Sequence, residues 1–262
     1  MRATRIRFAL LAAVGAMALS LAPFAVADDD DGDDDGGGGT RTYEVTITNL
    51  TSGQPLTPPV VATHRKKDQL FEVGQPASVG VREIAENGNL APLSAFLDAD
   101  PFNRISDFEL GTFPLVPDDK PGAPGIPPDP PAFPDSVRLE ITAASGARFL
   151  SFVSMLVCTN DGFTGVNSLR LPERVGRTET ADTQAYDSFT ERNTEDFAHI
   201  VPPCQGLIGV SSGEAGMEVS NPALAEGGVI AHHAGIQGGS DLVPSVHGWD
   251  NPVARIAVER TG

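Results

Sequence analysis

The feature that most constrains the fold is a mostly apolar run near the middle of the chain, FLSFVSMLV, at residues 149–157, within a predicted strand over residues 147–157. A run that is apolar at successive positions predicts a strand buried on both faces, and therefore a central strand of a sheet. The run stops at Cys158, and a lone acidic residue, Asp161, follows three positions later. The end of this strand is therefore the first place to look for function.

Shorter segments on both sides of this run also favour strands. Residues 42–50 and 136–143 alternate apolar and polar side chains, which predicts half-buried strands. Shorter candidate strands lie at residues 58–64, 166–171, 206–210, 228–231 and 253–258.

Helical signals are confined to one region, residues 77–97. Helix-spaced apolar residues there are stopped by Asn87-Gly88, and a second short helix is predicted at residues 90–97. Nine prolines at residues 114–134 exclude helix and central strand, and predict a long loop. Strands scattered among Gly- and Pro-rich loops predict one antiparallel β-sandwich with one or two short helices.

The N-terminal segment reads as a targeting sequence. Residues 1–27 combine early arginines, a short apolar stretch and a final Ala-Val-Ala, which predicts a secretory signal cleaved after Ala27. Residues 28–41 predict a disordered acidic Asp/Gly leader, and residues 42–262 the folded domain. The mature protein is therefore expected to be secreted or periplasmic, without stable insertion in a membrane.

The charge balance excludes one class of partner. The chain carries 18 Lys and Arg residues against 35 Asp and Glu residues, for a formal net charge of −17. Nucleic acid is a poor partner for such a chain, because binding it requires a basic surface. An acidic chain of this kind is expected to bind divalent cations.

The chain has two cysteines, Cys158 and Cys204. An even pair in an exported protein predicts a disulfide. The competing interpretation is half of a metal site, but neither a Cys-x-x-Cys motif nor a nearby histidine supports it.

Three carboxylates lie close to these cysteines in sequence. Asp187 and Glu191 are four residues apart in AYDSFTER, so they share a face if the segment is helical and can surround one ion if it is a loop. With Asp161 they would give three carboxylate ligands from two loops, which makes a site for one hard cation possible, with carbonyls and water completing its oxygen ligands. The alternatives are an Asp-Gly turn at Asp161 and solvated loop acids at the other two positions.

Four segments, in order, resemble the spondin N-terminal (F-spondin) domain family. They are YEVTITNLTSGQPLTPPVVATH, SFVSMLVCTNDGFTGVNSL, AYDSFTER and DNPVARIAVER. The resemblance implies a sandwich related to C2-type domains that binds calcium through Asp161, Asp187 and Glu191. Gly162 stands where the family has Trp, and Glu191 where it has Asp.

Two functional hypotheses follow from these patterns. The first is an exported calcium-binding module with a binding or adhesion role, whose partner is an extracellular protein or a glycan. The second is an exported hydrolase with a carboxylate- or Ser-based site. For that second hypothesis GVSSG places Ser211 in a Gly-x-Ser-x-Gly pattern, although no helix is predicted after it. The pair His232-His233 is interpreted as packing or exposed, because neighbours in a strand point to opposite faces.

Overall fold

The computed structural model describes residues 39–65, 70–121 and 132–262. The predicted signal, the leader up to residue 38 and the centre of the proline-rich loop lie outside these ranges. The first strand begins at Arg41, so the last residue assigned to the leader already belongs to the fold.

Short strands dominate the described part of the chain, with short helices between them. The strands are β1 (Arg41–Asn49), β2 (Val60–His64), β3 (Ile105–Leu110), β4 (Ser136–Ala143), β5 (Phe149–Met155), β6 (Gly162–Arg170), β7 (Thr178–Thr183), β8 (Ala185–Asp187), β9 (Ala231–His232) and β10 (Ala254–Arg260). The helices are α1 (Val79–Asn87), α2 (Ala91–Ala99), α3 (Pro203–Ile208) and α4 (Pro244–His247), and a 3-10 turn spans Phe197–His199.

The strands form two antiparallel sheets, which confirms the predicted mostly-β fold. One sheet has the order β4-β1-β10-β7 and the other β3-β2-β5-β6-β8-β9. A buried apolar cluster joins them, and it includes Tyr43, Ile47 and Ile256 from the first sheet and Leu150 and Phe152 from the second. This arrangement is a β-sandwich, with its core between the sheets.

The second sheet is covered on its other face as well. Val153 and Met155 point away from the inter-sheet core and pack in a second cluster with Ile84 of α1 and Leu93 of α2. Strand β5 therefore has apolar neighbours on both sides, and β2 and β6 flank it. The mostly apolar run predicted this central position correctly.

Three parts of the sequence prediction need correction. Residues 206–210 were expected to form a strand, but most of them lie in α3, which has proline at its first positions and ends at the left-handed Gly209. Strands β3, β7 and β8 were not predicted, and four short helices are present among the described residues where one or two were expected. None of the described helices is long and apolar enough to cross a membrane.

Candidate functional site at the end of the central strands

A disulfide closes the end of the central strand. Cys158 follows β5, Cys204 lies in α3, and the two are bonded with their Cα atoms 5.0 Å apart. Both residues are fully buried in the core beneath the helices. The predicted pairing is confirmed, and a disulfide is compatible with a protein exported to an oxidising compartment.

Asp161 is buried at the tip of the turn between β5 and β6. It has no exposed surface, and its two carboxylate oxygens differ in their environment. Oδ2 accepts hydrogen bonds from Ser188 Oγ at 2.9 Å, from the Thr190 amide at 2.8 Å and from the Glu191 amide at 3.0 Å. Oδ1 is buried without a hydrogen-bond partner. A buried oxygen without a hydrogen-bond donor is unusual in a native fold. Such an oxygen is stabilised when it binds a proton or a cation.

The surroundings of Asp161 also change its acidity. Burial, followed by the charge of Asp187, raises its pKa to about 7, against the opposing effect of the hydrogen bonds from the loop. Without a cation, the carboxyl therefore binds a proton more readily than an ordinary aspartate does.

Asp187 occupies the neighbouring strand end. It pairs with Gly162 across β6 and β8, which brings it beside Asp161. Its Oδ1 accepts the Phe189 amide at 2.7 Å, and its Oδ2 accepts Asn193 Nδ2 at 2.6 Å. Each oxygen keeps a lone pair that these bonds do not use, so the two aspartates together can offer a hard cation several oxygen ligands.

The carboxylate of Glu191 lies elsewhere. Its backbone amide contacts Asp161, but its Oε1 accepts the amide of Asn221. Burial raises the pKa of Glu191 to about 7, and the charge of Glu86 acts in the same direction. The described residues contain no group of three or more His, Cys, Asp or Glu side chains placed to hold a metal. The structure therefore brings two of the three predicted ligands together and turns the third toward α1.

Two further polar side chains shape this site and were not singled out from the sequence. Asn160 Oδ1 accepts the Thr194 amide at 2.9 Å, so Asn160 and Asp161 both anchor the segment after β8. Glu195 is buried, and its two oxygens accept the amides of Gln237 and Gly239. The sequence offered one signal for Asn160, which is its position directly before the lone Asp161. Nothing in the sequence distinguishes Glu195 from a surface acid.

The features that suggested catalysis are dispersed. Ser211 is exposed after α3, and no helix lies between α3 and α4 in this fully described stretch. His232 is exposed and stacks on Tyr186 at 5.5 Å between ring centroids. His233 is buried against Trp249, and its Nδ1 accepts the Gly235 amide. His232 ends β9 and His233 follows it, and the two histidines face different surroundings.

Comparison with known proteins adds no relative from which a function could be transferred. No protein-family model matches the chain, and no curated protein matches it. The function therefore has to be argued from the geometry of the site.

Proposed function

We propose that this chain is an exported binding module of the spondin type, with an adhesion or partner-binding role, and that one calcium ion binds at the Asp161–Asp187 pair. The observation that carries the proposal is the unpartnered Oδ1 of Asp161, fully buried and beside a second carboxylate. Ca²⁺ takes six to eight oxygen ligands and accepts irregular geometry, so two carboxylates, nearby carbonyls and water suffice.

The chemistry of the donors favours calcium over a transition metal. The two carboxylates offer only oxygen, and both cysteines are consumed by the disulfide. Nitrogen and sulfur ligands are what zinc and copper select, whereas carboxylates suit calcium and magnesium. Magnesium demands a tighter octahedron and keeps more of its water, so calcium is the better fit to a loop site.

The disulfide supports the same interpretation. Cys158 lies three residues before Asp161, and its bond to Cys204 joins the turn between β5 and β6 to α3. Helix α3 follows the Asp187 loop in the chain. A cation that bridges two loops gains affinity when both loops are already held in place, because less ordering is needed on binding.

The test is a calcium titration of the folded protein by calorimetry, with melting temperatures in calcium, magnesium and chelator. We expect calcium to stabilise the fold by about 2.7 kcal/mol at a hundredfold excess over its dissociation constant. Chelator lowers the melting temperature, and calcium restores it more than magnesium does. Asp187→Asn removes a ligand and abolishes this response.

A matched control is Glu191→Gln, which replaces another buried carboxyl group nearby. Because the Glu191 carboxylate faces Asn221 and Glu86, this variant keeps the calcium response. Loss of the response in Glu191→Gln would restore the three-carboxylate site implied by the family resemblance. A wild-type response in Asp187→Asn would place any calcium site elsewhere and refute the proposal.

A further inference from the structure

The opposite end of β6 carries arginines that the calcium site does not use. We call this group the arginine end; its members are Arg41, Arg148, Arg170, Arg174, Arg177 and Arg260. They come from the start of β1, the turn before β5, the end of β6, the loop before β7 and the end of β10. In a chain with 18 basic and 35 acidic residues, such a concentration of positive charge is unexpected.

The backbone fixes these segments against one another. The amide of Gly176 donates to the Arg260 carbonyl at 2.8 Å, and the amide of Arg260 donates to the Arg177 carbonyl at 3.1 Å. The amide of Leu171 donates to the Arg148 carbonyl at 2.9 Å, and the Arg260 guanidinium donates to the Glu173 carbonyl. The arginines therefore stand on a pre-organised surface, which lowers the cost of ordering it around a ligand.

Two exposed guanidinium groups at this end have no carboxylate partner. Arg170 pairs with Glu173, and the charges of Arg148 and Arg41 also act on that carboxylate. Arg174 and Arg177 form no ion pair with any residue that the structure describes, and both are exposed, as is Arg148. Arg170, Arg174 and Arg177 border an open hollow of about 490 Å³, in which Glu179 is the other acid besides Glu173. The local balance is positive although the chain as a whole is negative.

The acidic site at the other end of the sheet does not cancel this charge. The nine residues of β6 separate Asp161 from the end of the strand at Arg170, a distance of about 30 Å at the usual rise per residue. At physiological salt the screening length is about 8 Å. The potential at the arginine end is therefore set by its own residues.

We infer that the arginine end binds an anionic polysaccharide, through sulfate or uronate groups. Guanidinium groups pair bidentately with such oxyanions. The unpaired arginines spread over an open surface, which suits a polymer with repeated charges better than one small anion. No aromatic ring borders the hollow to stack nucleic-acid bases. Val175, 62% exposed, is too little apolar surface to anchor the protein in a lipid bilayer.

The test measures binding to heparin as a sulfated probe, to alginate as a uronate probe and to neutral dextran. The variant is Arg174→Ser/Arg177→Ser, and the matched control is Arg82→Ser/Arg138→Ser, which removes the same charge from α1 and β4. We expect heparin, alginate or both to bind at low salt, and dextran not to bind. Arg174→Ser/Arg177→Ser binds the polysaccharide about tenfold or more weakly, because charge-assisted hydrogen bonds are lost. The salt dependence of its binding also becomes shallower.

Further measurements separate this inference from the calcium proposal and from instability. Binding persists in chelator, because the arginine end needs no cation. Arg148→Ser, in a different segment, provides a second variant that also weakens binding, and equal melting temperatures show that each variant is folded. Absence of binding to both heparin and alginate overturns the inference, as does an equal loss in the control pair. Binding to phosphatidylserine vesicles but to neither polysaccharide would assign the surface to membranes instead and equally overturn it.

Discussion

Reduction of the Cys158–Cys204 bond lowers the free energy of unfolding by about 4 kcal/mol, because an open chain gains loop entropy when it unfolds. The bond joins two cysteines that are 46 positions apart in the sequence, and both residues are fully buried. The measurement is denaturant unfolding of the oxidised protein and of the same protein in reductant. Since a typical domain has only 5–15 kcal/mol of stability, the reduced form is expected to unfold at a much lower denaturant concentration.

The control for this experiment is the variant Cys158→Ala/Cys204→Ala. It unfolds near the reduced wild type, and reductant does not change it further. A variant that stays as stable as the oxidised protein would show that the bond contributes nothing to stability. A variant that still responds to reductant would mean that the reductant acts on something other than this bond.

The parts of the fold that sequence predicted best are those in which a local pattern and the tertiary surroundings agree. Strand β4 has the predicted limits, because its alternating side chains face the inter-sheet core on one side only. Helix α1 ends where Asn87-Gly88 predicted, because Gly88 adopts the left-handed conformation there with φ 63°. Strand β5 follows from its mostly apolar run, because only a strand covered on both faces can bury neighbouring apolar residues such as Phe152 and Val153.

The missed elements lack such agreement. Strand β7 is mostly exposed and polar, and it forms because its backbone pairs with β10 at the edge of the sheet. Backbone pairing leaves no mark in side-chain hydrophobicity. Helix α3 is six residues long, and a short apolar segment of this length suits either a strand or a helix.

The candidate site was predictable in position but not in orientation. The lone Asp after a buried strand and the Asp of AYDSFTER do meet, because β6 pairs with β8. The direction of Glu191 could not be read, since the loop after β8 turns through Phe189, which has a φ of 52°. The amides of Thr190 and Glu191 donate to Asp161. The side chain of Glu191 therefore points away from Asp161 and accepts the amide of Asn221.

Without metal, the variant Asp161→Asn becomes more stable than the wild type as the pH rises from 4 to 8, by up to about 4 kcal/mol. The pKa of Asp161 is about 7 in the folded protein and 3.8 for an ordinary Asp. The folded state therefore holds a proton that the unfolded state has released. The stability due to this proton is complete below pH 4 and is lost as the pH approaches 7. Asn resembles the protonated carboxyl and does not titrate.

The comparison with Asp161→Asn is necessary because other buried groups titrate in the same range. Burial lowers the pKa of His233 and His247, so their contribution is lost as the pH falls below about 6.5 and has the opposite sign. The pKa of Glu191 is raised, and the variant Glu191→Gln measures the contribution of this group to the pH dependence of stability. These contributions are common to the wild type and Asp161→Asn, and cancel in the difference.

Calcium then distinguishes the two possible occupants of Asp161 Oδ1. Protonation and calcium binding compete for the same oxygen, so calcium affinity falls as the pH drops below 7. At pH 8, saturating calcium stabilises the wild type but not Asp161→Asn, and the stability difference between them shrinks or reverses. A difference that stays constant from pH 4 to 8 would show that Asp161 remains ionised through its hydrogen bonds alone. A pH-dependent difference that calcium leaves unchanged would mean that Asp161 is a buried acid without a role in metal binding.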